Sequence, residues 1–169
     1  MVFEKIEWKT TYGYKNFISE DTQKIFLDWT SENLETFVFN QFGPNRKNRT
    51  IAKEDNIFPL VQNLKKQILE VENKDFHKIN LSLRDYIGIN FEGAFIQLHA
   101  DYAEPGITHT RWNLVLSYPE EGGESIYNGE INKLEERLIW KCEASKYMHG
   151  SKKVIGKKPR ITLSMGFML

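Results

Sequence analysis

Phe95-Ile96-Gln97-Leu98-His99-Ala100-Asp101 is the stretch whose reading decides the fold. Apolar and polar residues alternate through it with the two-residue period of a strand. On that period Ala94, Ile96, Leu98 and Ala100 share one face, and Gln97, His99 and Asp101 share the other. An imidazole and a carboxylate therefore stand side by side and point the same way. Two later segments repeat the pattern. In Arg111-Trp112-Asn113-Leu114-Val115-Leu116 the polar face carries Arg111 and Asn113; in Arg160-Ile161-Thr162-Leu163-Ser164-Met165 it carries Arg160, Thr162 and Ser164. A half-buried strand with one wet face alternates in the same way. Solvated strand faces, however, usually carry Lys and Glu, and these three carry neither. The polar faces are therefore read as lining a cavity, with the apolar faces packed against helices.

Outward from these strands the chain divides by period. Ser19 is an N-cap followed by Glu20 and Asp21 in the favourable first turn, and Ile18, Thr22, Ile25, Phe26, Trp29 and Phe37 recur at helical spacing, which predicts a helix over 20–37. Ile57, Leu60, Val61, Leu64, Ile68 and Leu69 form the stripe of a second helix, beginning near Asp55 or Asn56, running to Glu72 and tolerating Pro59 in its first turn. Residues 2–12 alternate loosely, as a first strand would. Residues 40–50, with Gly43-Pro44 and the basic run Arg46-Lys47-Asn48-Arg49, read as a solvated loop, with gripping an anionic substrate as the alternative. From Ile79 onward short strands are expected at 79–90, 94–101, 111–118, 124–127, 131–134, 137–142, 147–150 and 160–168. Glu92-Gly93, Pro105-Gly106, Gly122-Gly123, Asn128-Gly129 and Lys158-Pro159 punctuate them.

Two leading helices followed by short strands predict a mainly β chain with N-terminal helices (α+β). The architecture expected is a double-stranded β-helix, or cupin-like jelly-roll barrel, with helices packed on one sheet. One domain over 1–169 is expected, with 1–75 as a helical support region and 79–169 as the jelly-roll core. Lys+Arg and Asp+Glu are both 23, so no global field argues for nucleic acid or an anionic membrane as partner. The single Cys142 excludes an intramolecular disulfide, suits a reducing compartment, and reads as a small buried hydrophobe. With no signal-peptide core and no apolar run of bilayer length, a cytoplasmic location is expected.

The histidines are four: His77, His99, His109 and His149. His99-x-Asp101 on one strand face, joined by a third ligand from a late strand, fits the two-histidine, one-carboxylate set that holds non-haem Fe(II). His149 is the natural third ligand. Arg160 follows it by 11 positions (160 − 149). A guanidinium inside a barrel needs an anion, and a carboxylate held bidentately matches it best. His109 shares the parity of Arg111 and is placed near the cavity mouth or in an ordinary loop; Gln97 shares the His99 face; His77 reads as a surface residue.

The order His99-x-Asp101, His149, Arg160-x-Thr162 resembles the iron(II)- and 2-oxoglutarate-dependent oxygenases over residues 94–168. The resemblance implies that His99, Asp101 and His149 bind Fe(II) and carry the catalysis. It also implies that Arg160, assisted by Thr162 or Ser164, binds the far carboxylate of 2-oxoglutarate. Arg111-Trp112-Asn113-Leu114 is similar to the Arg-x-His-Leu segment of the aspartyl/asparaginyl β-hydroxylase branch, with Asn113 where that branch has His. There the Arg and His contact the metal-side carboxylate of 2-oxoglutarate, which implies that cofactor-binding role for Arg111 and Asn113. The prolyl hydroxylase branch is equally open. The implied reaction couples O2 and decarboxylation of 2-oxoglutarate to succinate with C–H hydroxylation of a small-molecule, amino-acid or peptide substrate. Related halogenating enzymes lack the carboxylate ligand, so Asp101 favours hydroxylation. Nucleic-acid demethylases of the superfamily carry a second Arg soon after the first; none follows Arg160 here. A non-catalytic cupin-like metal-binding module and a zinc hydrolase with the same three ligands are the alternatives. Substrate contacts are expected from residues 40–50, 102–110 and 120–128.

Overall fold

The computed structural model describes residues 3–74 and 83–168. The expected surface position of His77, and the start of a strand at Ile79, lie outside the described residues. The strands are β1 (Glu4–Glu7), β2 (Tyr12–Lys15), β3 (Val38–Phe39), β4 (Arg46–Thr50), β5 (Tyr86–Asn90), β6 (Ile96–His99) and β7 (His109–Ser117). They continue with β8 (Glu121–Gly122), β9 (Ser125–Tyr127), β10 (Glu130–Asn132), β11 (Ile139–Glu143), β12 (His149–Ser151), β13 (Val154–Ile155) and β14 (Arg160–Met168). The helices are α1 (Glu20–Glu32) and α2 (Phe58–Val71).

An eight-stranded sheet runs β1-β2-β11-β7-β14-β5-β4-β3, and a four-stranded sheet runs β10-β9-β12-β6. In the chain, β5, β7, β11 and β14 in the large sheet alternate with β6, β9/β10 and β12 in the small one. That alternation is the double-stranded β-helix expected from the sequence. The chain passes from sheet to sheet, so residues distant in sequence meet in the space between them.

Two cores result. On the outer face of the large sheet Trp112, Leu114, Leu116, Leu163, Met165, Ile87 and Ile89 pack with Phe26 and Trp29 of α1 and Val61, Leu64, Ile68 and Leu69 of α2. This is the helix-facing side predicted for β7 and β14. Between the sheets a smaller cluster of Val115, Tyr127, Leu134, Leu138, Trp140, Cys142 and Ala144 closes one end. Cys142 is free and buried there, as expected.

The helices are shorter than their apolar periods. Ser19 caps α1 as predicted, its Oγ accepting from the Thr22 amide at 3.1 Å. The α-helix then stops at Glu32, because Asn33 turns its side-chain amide back onto the Trp29 carbonyl at 2.8 Å. A 3-10 turn (Leu34–Thr36) carries Phe37 into contact with Trp29, so the periodicity outlasts the helix. α2 begins at Phe58 and not at Asp55 or Asn56. The Asp55 carboxylate is already engaged by the Ala52 amide at 2.7 Å and Arg49 at 2.6 Å.

Residues 46–50, expected as loop, form β4 between β3 and β5. The run is wholly polar and shows no apolar period. Its even residues Arg46 and Asn48 line the inter-sheet cavity. On the odd side Lys47 lies over Phe39 and Arg49 over Trp29, at 5.3 and 4.4 Å from the rings.

Lys65 is 1% exposed within the apolar stripe of α2, and its ammonium meets the Asp85 carboxylate at 2.9 and 3.2 Å. Asp85 also accepts from the Gly166 amide at 3.0 Å, so one pair ties α2 to β14. Removing one member of such a pair strands the other charge. Lys65→Ala is expected to lower unfolding free energy by about 3–5 kcal/mol, read from the urea midpoint at unchanged slope.

Candidate metal and anion site

The pairing of β6 with β12 shapes the site. His149 faces His99, yet Ser151 faces Ile96. Two steps along β12 thus span three along β6, which carries an extra residue as a β-bulge. The bulge breaks the alternation expected for 94–101. Ile96 and His99 both line the cavity, whereas Gln97 and Leu98 turn outward, Leu98 being 54% exposed. Gln97 therefore does not share the face of His99, and Ile96 and Leu98 do not pack on helices. Gly150 sits opposite the bulge. A Cβ there would come within 2.6 Å of the Ile96 carbonyl oxygen, so the two strands close this tightly only around a glycine.

Three side chains converge here. His99 Nε2 lies 3.4 Å and His149 Nε2 3.8 Å from Asp101 Oδ1, and the three donor atoms all lie within 4.8 Å of one another. Each imidazole is oriented by its own strand. His99 Nδ1 is 2.7 Å from the Gln97 carbonyl and His149 Nδ1 is 3.2 Å from the Tyr147 carbonyl. Carbonyl oxygens only accept, so both Nδ1 atoms carry a proton and both Nε2 atoms face the shared space, each able to donate to Asp101 as an imidazolium or to offer a lone pair to a metal as a neutral imidazole. The Asp101 amide donates to the Ala144 carbonyl at 2.8 Å, holding the carboxylate at the strand end. Two neutral imidazoles and one carboxylate, with single donors converging, fit a divalent transition metal that keeps open positions.

The second Asp101 oxygen is also engaged. Oδ2 is 3.3 Å from His109 Nδ1 and 3.8 Å from Arg111 Nε. Burial acts to raise the Asp101 pKa, but His99, His149, His109 and Arg111 outweigh it and hold the carboxyl below its usual range. The hydrogen bond with Asp101 raises His99, while burial lowers His149 and His109. His109 thus lies behind Asp101 and outside the cavity lining.

The cavity between the sheets has a volume of about 230 Å³. Arg160, Thr162, Ser164, Arg111 and Asn113 all face it, as the alternation of β7 and β14 required. Arg160 is 5% exposed, and its Nε and Nη1 are buried with no hydrogen-bond partner. Burial pushes this guanidinium down to about 10. Among the described residues no carboxylate lies within ion-pair distance of it. A buried guanidinium with two unpartnered N–H groups is suited to binding an anion.

Sequence reasoning missed Asn90, and reached Arg46 and Phe42 only as members of the 40–50 segment. Arg46 is 6% exposed, and its Nε donates to Asn90 Oδ1 at 2.9 Å. Phe42 stacks on the His99 ring at 4.7 Å and 12°. The one available signal was the basic run at 46–49, which solvated loops carry as often. Among the described residues no helix is long and apolar enough to cross a membrane.

No protein-family model matches the sequence, and no curated protein sequence does so either. Solved structures do match in fold. A prolyl-4-hydroxylase from Pseudomonas putida superposes with a TM-score of 0.74 at 12% identity, over 98% of this chain and 91% of that one. The viral collagen prolyl hydroxylase of Paramecium Bursaria Chlorella virus-1, a 2OG complex, gives 0.69 at 15% identity over 98% and 95%. HygX from Streptomyces hygroscopicus, with nickel and 2-oxoglutarate bound, gives 0.71 at 10% identity over 93% and 82%. The chain shares the jelly-roll fold of these proteins.

Two outcomes follow for metal binding. Gly150→Ala is expected to weaken Mn(II) binding about tenfold or more, because the added methyl separates the strands that bear His99 and His149. Affinity is also expected to fall at least about tenfold from about pH 7.5 to about pH 5.5, since protonated imidazoles cannot ligate. Electron paramagnetic resonance of free Mn(II) measures both.

Proposed function

We propose that this protein is a non-haem Fe(II)- and 2-oxoglutarate-dependent oxygenase, acting as a hydroxylase. One observation carries the reading: a convergent His99–Asp101–His149 donor set shares a cavity with the unpartnered, buried guanidinium of Arg160. A structural metal site or a zinc hydrolase needs the first feature and has no use for the second. A co-substrate that is a metal chelate at one end and a carboxylate at the other uses both. The bound 2-oxoglutarate of two fold neighbours is consistent with it.

When bound, iron and 2-oxoglutarate supply the oxidising chemistry, in which O2 is consumed, 2-oxoglutarate becomes succinate and CO2, and a substrate C–H bond becomes C–OH. The chain's own residues supply the rest. His99, Asp101 and His149 would hold the metal. Arg160, whose Nε and Nη1 have no partner, would receive the far carboxylate, with Thr162 on the same wall. Arg111 and His109 fix the Asp101 carboxylate, and Asn113 lies opposite Ser164 in the register, on the same wall. Ile96, Trp140 and Cys142 give the space between an apolar lining. Burial pushes the Cys142 thiol well up, so it stays protonated and serves as apolar wall. Small-molecule or peptide substrates suit the fold: HygX is solved with hygromycin B and a Trichoplax adhaerens prolyl hydroxylase with a hypoxia-inducible factor peptide.

The test is succinate formation from 2-oxoglutarate that requires both Fe(II) and O2, measured by mass spectrometry. Asp101→Ala is expected to reduce turnover to background. Arg160→Gln is expected to raise the half-saturating 2-oxoglutarate concentration about 10- to 100-fold, from about 1.5–3 kcal/mol for a lost hydrogen bond to a charged group. Metal-independent turnover, or an Arg160 variant with unchanged saturation, would sink the assignment.

A further inference from the structure

Charge in the cavity does not balance around one co-substrate. The lining holds three arginines, Arg46, Arg111 and Arg160, against a single acid, Asp101, and no lysine or glutamate. Guanidinium groups stay charged at neutral pH. A divalent metal, Asp101 and a dianionic 2-oxoglutarate together sum to one negative charge, which leaves the arginines in excess. Arg111 is held against Asp101 Oδ2, and Arg160 takes the far carboxylate of the co-substrate. Arg46 is then the surplus.

Its surroundings orient it without neutralising it. Nε donates to Asn90 Oδ1 at 2.9 Å and Nη1 to Asn40 Oδ1 at 3.2 Å. Both acceptors are neutral amides, and among the described residues no carboxylate lies within ion-pair distance of Arg46. Asn90 stands in register with Arg46 on one side and Arg160 on the other. Two buried guanidiniums thus flank one asparagine. Arg46 also belongs to the metal end, because Asn40 Oδ1 accepts the amide of Phe42, the ring stacked on His99.

We propose that Arg46, held by Asn40 and Asn90, is the anchor for an anionic group, a carboxylate or phosphate, on the primary substrate. This rests on the co-substrate reading above, which assigns Arg160 to 2-oxoglutarate. Arg46 is a specificity-determining residue: it selects substrates that bring a negative charge to the metal and disfavours neutral isosteres, which leave the guanidinium unpaired.

The experiment follows the side-chain Nε–H resonances of Arg46 and Arg160 by 15N–1H NMR, in protein loaded with Zn(II) and saturated with 2-oxoglutarate. Arg46→Gln and Arg160→Gln assign the two signals. Acetate, inorganic phosphate and neutral acetamide are then titrated at constant ionic strength. The expected result is a saturable shift of the Arg46 signal with acetate or phosphate and none with acetamide; whichever anion acts identifies the group. The Arg46 signal unmoved by either anion overturns the proposal. So does a 2-oxoglutarate dissociation constant raised as much by Arg46→Gln as by Arg160→Gln, because Arg46 would then be a second clamp on the co-substrate. No response of Arg160 to 2-oxoglutarate instead removes the co-substrate reading, and the charge argument with it.

Discussion

A carboxylate enclosed between two sheets must be faced by positive or proton-donating groups, and Asp101 is faced on both oxygens. Oδ1 looks toward His99 and His149, and Oδ2 toward His109 and Arg111. These partners come from β6, β12 and β7, so one side chain joins both sheets across the cavity. The consequence is mechanical as well as electrostatic. Movement of any of the three strands leaves the carboxylate short of a partner, which keeps the three side chains convergent.

The distribution of hydrophobic surface serves the same end. The large sheet gives its apolar face to the helices, and the small cluster of Val115, Tyr127, Leu138 and Trp140 closes one end of the inter-sheet space. The rest of that space can then be polar without weakening the fold, because the driving force lies elsewhere. The Lys65–Asp85 pair strengthens the outer face and puts no charge in the cavity. Arg160 and Arg46 accept the opposite condition: they are buried without a counter-charge. Such groups contribute nothing to folding that an apolar residue would not, so their presence points to binding.

Much of the site was legible because alternation is a local property. Arg111 and Asn113 on β7, and Arg160 and Thr162 on β14, face the cavity because neighbouring residues in a strand must face opposite ways. His99, Asp101 and His149 were readable as residue types suited to a metal. The alternation failed at β6, where a bulge turned Ile96 inward and Gln97 outward. It failed again at β4, whose five polar residues gave no period to read. A bulge is set by the partner strand, here β12 with its glycine. β4 is a strand because β5 offers it an edge and because Phe39 and Trp29 cover its long basic stems. Neither cause lies within the segment itself.

From the amino-acid order alone came the class of the fold, two helix stripes ahead of alternating strands, and the chemical kinds of the site residues. These depend on contacts within a few positions of each other. Only the tertiary structure decided that His149 closes on His99, that Arg160 lacks a counter-charge, and that Arg46 stands beside Asn90 and not in solvent. Convergence of that kind depends on strand order and register, and those are set by the free energy of the whole packed chain.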